Sequence, residues 1–394
     1  MSIRLSTHTF ARRAAARLEN GAKLAEAVEL PMVADIFATL DTAVAARAFI
    51  LGPYQVAKSA IGQLKLARDM AVRPGPALWY NPTDDASRDF ADLKFNPLFD
   101  ALPQLRSLLF HAKDRRAKLR YSLTGGASLL ILSAKTENDR HGKTARDLYL
   151  DEVHTYETGW IDQIFNRAGA YSQEFLAVLM STGLDAHTEA AQLWGKTDQR
   201  TWHCRCPHCR RLFEPLYLHR DPATADIIGG LRYERRFLDN GLPDESAIAA
   251  TLAYECPHCH TRFPNTPGVR QLFSGTATAP RGLYVSKNAH AAPRNYGWTF
   301  HAIAIRDWLP LALKFELAQL ARQRGDLEPL ANCIREEFAG IWDPSHHNTE
   351  QKLRPIGDYL LGDPWPGEGL DPQNRPIRAA TVDVQLDHFV LVIR

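Results

Sequence analysis

The sequence predicts a doubly wound α/β domain built on a largely parallel sheet, and three observations carry that expectation. Short apolar runs recur from residue 48 onward, at Phe49–Leu51, Ala77–Tyr80, Leu129–Leu132, Leu148–Leu150 and Phe175–Met180, each of the length and character of a strand buried on both faces. Helix-length stretches separate several of them, as at Ser59–Met70 and Asp84–Phe99. The 394 residues are 45% hydrophobic and 23% charged, the balance of a chain that folds around a sizeable core. Strand, helix, strand in that rhythm puts the ligand crevice at the carboxyl ends of the strands.

Taken in order, residues 1–45 read as alanine-rich helices with no strand signal. Arg4, Arg12, Arg13 and Arg17 among those alanines suit either a surface helix or an organellar transit peptide. Residues 46–200 form the α/β core. Residues 201–270 break its rhythm with two cysteine knuckles around a polar stretch, Arg210–Tyr254. Residues 271–361 return to helical patterns at Trp308–Arg324 and Leu327–Ala339, and the Pro- and Gly-rich stretch 362–378 has a linker's composition. Residues 379–394 open one more strand, with Val382, Val384 and Leu386 alternating against Asp383, Gln385 and Asp387, and then the chain stops. No stretch approaches eighteen consecutive apolar residues, so no membrane span is expected. A net charge of +2 gives no overall basic bias.

The chemistry begins at GPYQVAKS, Gly52–Ser59, directly after the first apolar run. A phosphate-binding loop follows the pattern G-x-x-x-x-G-K-[ST], and here Ala57 stands where the second glycine belongs. Such loops turn backbone N–H groups toward the anion, lysine neutralises the β- and γ-phosphates, and the hydroxyl helps hold Mg²⁺. Lys58 and Ser59 stand where that mechanism needs them. The similar HGKT at His141 and WGKT at Trp194 lack a glycine at the required distance, with Glu137 and Ala190 in its place.

LYLDEVH, Leu148–His154, ends an apolar run in two acids, which suits Asp151 to Mg²⁺ and Glu152 to polarising the attacking water. LMSTGLD ends the next run with Ser181 and Thr182, where a γ-phosphate sensor would sit. CPHC occurs twice, at Cys206–Cys209 and Cys256–Cys259, and two such knuckles close a four-cysteine zinc site of structural type. Cys204, His203, His208, His258 and His260 are alternate ligands, a disulfide framework is the competing explanation, and Cys333 reads as a core residue. The basic segment His111–Arg120 suits either a nucleic-acid backbone or a solvated helix end.

With loop, acid pair, Ser-Thr turn and twin CPHC in that order, the chain resembles the large terminase subunits of lambda-type tailed phages. YQVAKS, WYNPTDDASRDF, ARDLYLDEVHTYE, LMSTG, the knuckles, YGWTFHAIAI and TVDVQLD fall in family order from about Leu30 to the end. The resemblance implies a P-loop NTPase core of RecA/ASCE type with an inserted four-cysteine zinc ribbon, followed by the first strand of an RNase H-like nuclease. It implies ATP bound by Tyr54, Gln55, Val56, Ala57, Lys58 and Ser59, Mg²⁺ on Asp151, water activation by Glu152 and coupling through Ser181 and Thr182. Zinc falls to Cys206, Cys209, Cys256 and Cys259, and a nuclease metal to Asp383. Double-stranded DNA, a terminase small subunit and a portal protein are the implied partners, with a homo-oligomer working in the cytoplasm of a bacterial host. The family usually has a basic residue where Gly52 stands, and a nuclease that ends after its first strand would not cut DNA. Three other readings stand beside this one: a DExH-box helicase-like translocase with a second nucleotide-binding domain, a non-catalytic remnant acting as a scaffold, and a zinc-ribbon nucleic-acid binder.

Overall fold

The computed structural model describes residues 6–15, 29–43, 46–56, 58–102, 105, 119–346, 380–384 and 389–393. It divides into two units, Met1–Asp343 and Pro344–Arg394. Ala57, residues 111–118 of the basic segment and the linker 362–378 lie outside the described residues.

All five apolar runs form strands: β1 (Ala46–Leu51), β2 (Pro76–Asn81), β4 (Ser128–Ser133), β5 (Asp147–Leu150) and β6 (Leu176–Ser181). They lie side by side in the order β1-β6-β5-β2-β4, every neighbouring pair parallel. A short strand, β3 (Arg120–Ser122), closes one edge antiparallel to β4. The sheet also grows in a direction the sequence does not announce. Beyond a two-residue strand β7 (Leu184–Asp185), the strands β8 (Arg200–Arg205), β14 (Leu283–Ser286) and β15 (Asn295–Thr299) join it in the order β14-β8-β15-β1. The central sheet therefore draws strands from beyond residue 200, because β15 pairs in parallel with β1 over Arg47–Leu51.

Both faces of the sheet are covered, so successive residues of one strand enter different cores. Ala48 and Ile50 pack on one side with Val178, Met180, Trp79 and Tyr149. Phe49 and Leu51 pack on the other with Leu148, Leu150, Leu179 and Trp194. This two-sided burial is why the strands read as continuous apolar runs without alternation.

Helices α1 (Thr7–Ala15), α2 (Pro31–Thr42) and α3 (Lys58–Val72) cover the first face. Helix α3 is buried nearly all round from Ile61 to Met70, including Lys65, Arg68 and Asp69. Asp69 accepts from Arg68 at 2.8 Å and is paired with Lys65, and the Thr7 amide donates to Asp41 at 2.8 Å beside them. Charges this deep are tolerated only when paired. The stretch expected as one helix over Asp84–Phe99 is instead α-helical at Asp84–Asp89 and Asn96–Ala101, with a π-helical turn between them at Phe90–Phe95. Thr83 caps its start by accepting from the Ala86 amide at 3.2 Å. The second helical pattern also divides: Trp308–Gln323 is one helix, followed by Glu328–Asn332 and a π-turn at Cys333–Glu337. Cys333 is buried in that helical core, as expected.

The stretch between the knuckles is more ordered than its polar composition suggested. After β9 (Leu212–Phe213), which pairs with β8, the strands β10 (Leu218–Arg220), β11 (Ile227–Arg232), β12 (Ala253–Glu255) and β13 (Arg262–Pro264) form an antiparallel sheet in that order. No second strand-helix layer of the kind a helicase-like reading requires is present among the described residues. A two-residue strand β16 (Ile341–Trp342) pairs with β7 and brings the chain back across the carboxyl edge of the sheet.

In the second unit the expected single opening strand is a hairpin. Strands β17 (Ala380–Val384) and β18 (Phe389–Ile393) pair antiparallel, with Asp383 opposite Val390. The apolar run to the terminus is thus a second strand, for which FVLVI has ample β-propensity.

A candidate nucleotide site at the carboxyl edge of the sheet

Because β1, β6 and β5 are parallel neighbours, the segments that follow them emerge at one edge. Leu51 stands opposite Ser181, and Leu150 opposite Leu179. The loop after β1 carries Tyr54 and Lys58, the turn after β6 carries Thr182, and the end of β5 carries Asp151 and Glu152. Strand β6 lies between the loop strand and the acid strand, so the Ser-Thr turn sits between the two halves of the site. The Gly52 amide ties loop to turn by donating to the Ser181 carbonyl at 3.1 Å.

Lys58 is the first residue of α3 and is 5% exposed. Its Nζ donates to the Pro53 carbonyl at 2.8 Å, holding the ammonium under its own loop. Burial lowers its pKa, against the opposing pull of the Glu152 and Asp151 carboxylates. Gly52 is explained by packing: its φ is not positive, but a Cβ there would lie 2.6 Å from Phe300 Cζ and 3.2 Å from Lys58 Cγ. A larger residue would push on the lysine itself. Among the described residues of the loop the left-handed one is Gln55, with φ 54°, and the exposed Tyr54 is fixed through its backbone by the Glu336 carbonyl and the Arg306 guanidinium.

Asp151 is 4% exposed and lies near the Ser59 side chain. Burial and the neighbouring Glu152 charge push its pKa up to about 6, while Ser59, Lys94 and Lys58 act in the opposite direction. Glu152 adopts φ 52°, a left-handed backbone uncommon outside glycine and concentrated at functional sites. The geometry turns its side chain from strand to cleft, and its amide donates to Asp151 Oδ1 at 3.2 Å.

Two sets of residues belong to this edge that the sequence reading did not assign to it. His154 lies beside Ser181 Oγ, 3.0 Å from its Nδ1. The letters DEVH contain it, but nothing in the spacing says that its ring turns back onto the next strand. Asn332, Arg335 and Glu336 form the far wall of a cleft of about 500 Å³, with Tyr54, Pro82, Glu152, His154, Thr155 and Thr182 on the near side. Arg335 is held by Asp185 at 2.6 Å and by Glu328 at 2.9 Å. No local motif marks this wall, because it reaches the cleft through long-range contacts: the pairing of β16 with β7 and the backbone bonds of Gly183 to Arg335 and of Tyr54 to Glu336. Ser181 is fully buried, so Thr182 alone of the pair lines the cleft.

The knuckles converge as expected. The Sγ atoms of Cys206, Cys209, Cys256 and Cys259 lie within 4.8 Å of one another, and all four cysteines are free thiols. The cross-knuckle separations are 3.8 Å for Cys206–Cys259 and 3.9 Å for Cys209–Cys256. Four thiolates at about 2.3 Å from a tetrahedral zinc stand about 3.8 Å apart, so this donor set fits zinc and is far too open for disulfides. Cys204 points elsewhere, its sulfur 3.4 Å from Ser274 Oγ in the core.

Residues 23–274, about two thirds of the chain, match the family model of the phage terminase large subunit gpA ATPase domain. The chain belongs to that family. Among solved structures, this terminase chain is similar to a variant of the Thermus phage P74-26 large terminase ATPase domain, with 11% identity and a TM-score of 0.40 over 77% of this chain and 91% of that one. The unsubstituted Thermus phage domain gives 12% identity and a TM-score of 0.38 over 75% and 88%. The large terminase of bacteriophage HK97 gives 13% identity and 0.38 over 49% and 40%. No curated protein matches the chain. The residues matched to the terminase family take in the loop, the acid pair, the Ser-Thr turn and all four knuckle cysteines, whereas Asn332, Arg335 and Glu336 lie beyond them.

Proposed function

We propose that this terminase chain hydrolyses ATP to drive double-stranded viral DNA into a procapsid, as a homo-oligomer working with a terminase small subunit and a portal protein in the bacterial cytoplasm. The observation that carries the reading is that the parallel order β1-β6-β5 brings the loop with Lys58 and Ser59 and the acid pair Asp151 and Glu152 to one edge of the sheet, with the Ser-Thr turn between them. That convergence is the one a Mg²⁺–nucleotide site requires.

In this reading Tyr54 to Ser59 form the phosphate loop, and Lys58 exchanges the Pro53 carbonyl for the β- and γ-phosphates. Ser59 and Asp151 hold Mg²⁺, which when bound supplies charge neutralisation of the phosphates. Glu152, turned into the cleft, orients the attacking water and accepts its proton. Thr182 meets the γ-phosphate side of the cleft, and Ser181 fixes it from beneath. The four cysteines hold a structural zinc that braces the antiparallel sheet inserted between β8 and β14. Asp383 on β17 is the candidate nuclease carboxylate.

ATP turnover by the purified chain, with and without duplex DNA, tests the proposal. Glu152→Gln should keep ATP binding and lose turnover by at least about 100-fold. Absence of turnover in both the natural chain and an Ala57→Gly variant would overturn it.

A further inference from the structure

We propose that His154 is a positioning residue that ties the Glu152 carboxylate to Ser181 and Thr182, passing the state of the cleft to the turn after β6 through one imidazole nitrogen. The inference rests on the ATPase reading above and adds a residue to it.

Three oxygens converge on His154 Nδ1: Ser181 Oγ at 3.0 Å, Thr182 Oγ1 at 3.4 Å and Glu152 Oε2 at 3.4 Å. The His154 amide also donates to Ser181 Oγ at 3.2 Å, which fixes where that hydroxyl can send its own proton. Burial, with Lys58 and Arg335 nearby, lowers the imidazole pKa to about 4, so the ring is neutral near pH 7 and its contact with Glu152 is a hydrogen-bonding contact between a neutral and a charged group.

A neutral imidazole nitrogen either donates or accepts. An ionised Glu152 only accepts, whereas the two hydroxyls do both. With its proton on Nδ1, His154 can hold the carboxylate back. With the proton on the other nitrogen, Nδ1 accepts from Ser181 or Thr182 and releases Glu152 toward the cleft. The two arrangements exclude each other, so a change in what Glu152 contacts must change what the turn contacts. The turn has firm outlets on both sides. The Ser181 carbonyl accepts from the Gly52 amide of the phosphate loop at 3.1 Å, and the Gly183 amide donates to the Arg335 carbonyl of the far wall at 2.7 Å.

Steady-state ATP hydrolysis and equilibrium binding of ATP with Mg²⁺, measured on the full chain, test this. His154→Ala should bind ATP within about threefold of the natural chain and lose about tenfold in kcat with KM little changed. His154→Asn, whose amide reaches the Nδ1 position, should recover most of that loss, and His154→Gln should not. Adding Ser181→Ala to His154→Ala should cost nothing further, because one link is already broken. Equal kcat in the natural chain and His154→Ala would overturn the coupling while leaving the ATPase reading intact. If His154→Ala fails to fold, equal rates for the Asn and Gln variants would overturn it instead. Absence of turnover in the natural chain would overturn the ATPase reading and this inference with it.

Discussion

Gly183 and Arg335 meet backbone to backbone. The Gly183 amide donates to the Arg335 carbonyl at 2.7 Å, and a Cβ on Gly183 would lie 2.5 Å from Arg335 Cα and 2.2 Å from the Gly340 carbonyl oxygen. The third residue of the Ser-Thr-Gly turn is therefore a glycine because another segment of chain lies on it. That segment also brings Arg335 to the cleft.

Gly183→Ala should force the 335–340 segment away from the turn. We expect a loss of about 1–3 kcal/mol in urea unfolding, the range for overpacking a close contact, together with a fall in ATP turnover. A substitution at Gly142, where a Cβ meets no atom within 4 Å but φ is +70°, separates the two effects: backbone strain should reduce stability there without a matching loss of turnover.

Lys58→Ala should abolish measurable ATP binding if, as proposed, the buried ammonium is the cation that meets the phosphates. It should also raise the thermal midpoint or leave it unchanged, because burial of the charge is unfavourable in the free protein and, among the described residues, the Pro53 carbonyl alone accepts from Nζ. Nucleotide titration followed by fluorescence, beside a thermal melt, checks both outcomes.

Removal of the proposed zinc should act on the antiparallel insertion before it acts on the nucleotide edge. One zinc per chain is expected by elemental analysis, falling to near zero in a Cys206→Ser, Cys256→Ser double variant. Hydrogen exchange should then accelerate in β10–β13 first, since the Cys256–Cys259 knuckle forms the turn that joins β12 to β13 of that sheet.

The pair Glu214–His301 predicts a pH dependence. His301 Nε2 lies 3.0 Å from Glu214 Oε1, Lys287 lies on the other oxygen, and His301 Nδ1 contacts the Phe338 carbonyl. Burial alone would raise the Glu214 pKa, but the His301 hydrogen bond and charge, helped by Lys287, lower it to about 2. The folded state therefore releases this proton more readily than the unfolded chain, whose carboxyl titrates at about 4.3. The stabilisation, about 3 kcal/mol at most, is complete above that value and is lost as pH falls toward 2. Urea midpoints of the natural chain and Glu214→Gln should differ most at pH 6 and converge toward pH 2, and a constant difference would refute the linkage.

Much of the site was legible in the sequence because its parts are local. Lys58 and Ser59 open a helix directly after a strand, Asp151 and Glu152 end another, and each CPHC turn folds on itself. The five apolar runs were legible because burial on both faces leaves no polar residue in them. The strands β8, β14 and β15 were not: Asn295–Thr299 mixes polar, small and aromatic residues, and its place beside β1 depends on pairing across some 250 residues. The hairpin β17–β18 was half read, since an apolar run at a chain end carries no turn signal strong enough to divide it.

What the sequence by itself determined is the set of reactive groups and the strand ends that carry them. Tertiary structure alone decided which groups share a cleft. His154 turns back onto Ser181, Arg335 arrives through the short pairing of β16 with β7, and Gly52 is small because Phe300 and Lys58 fill the space beside it. The physical reason is the range of the interactions: periodicity and turn chemistry act over a few residues and leave a pattern in the sequence, whereas a wall built from two parallel backbone segments is specified by packing distributed over the whole sheet.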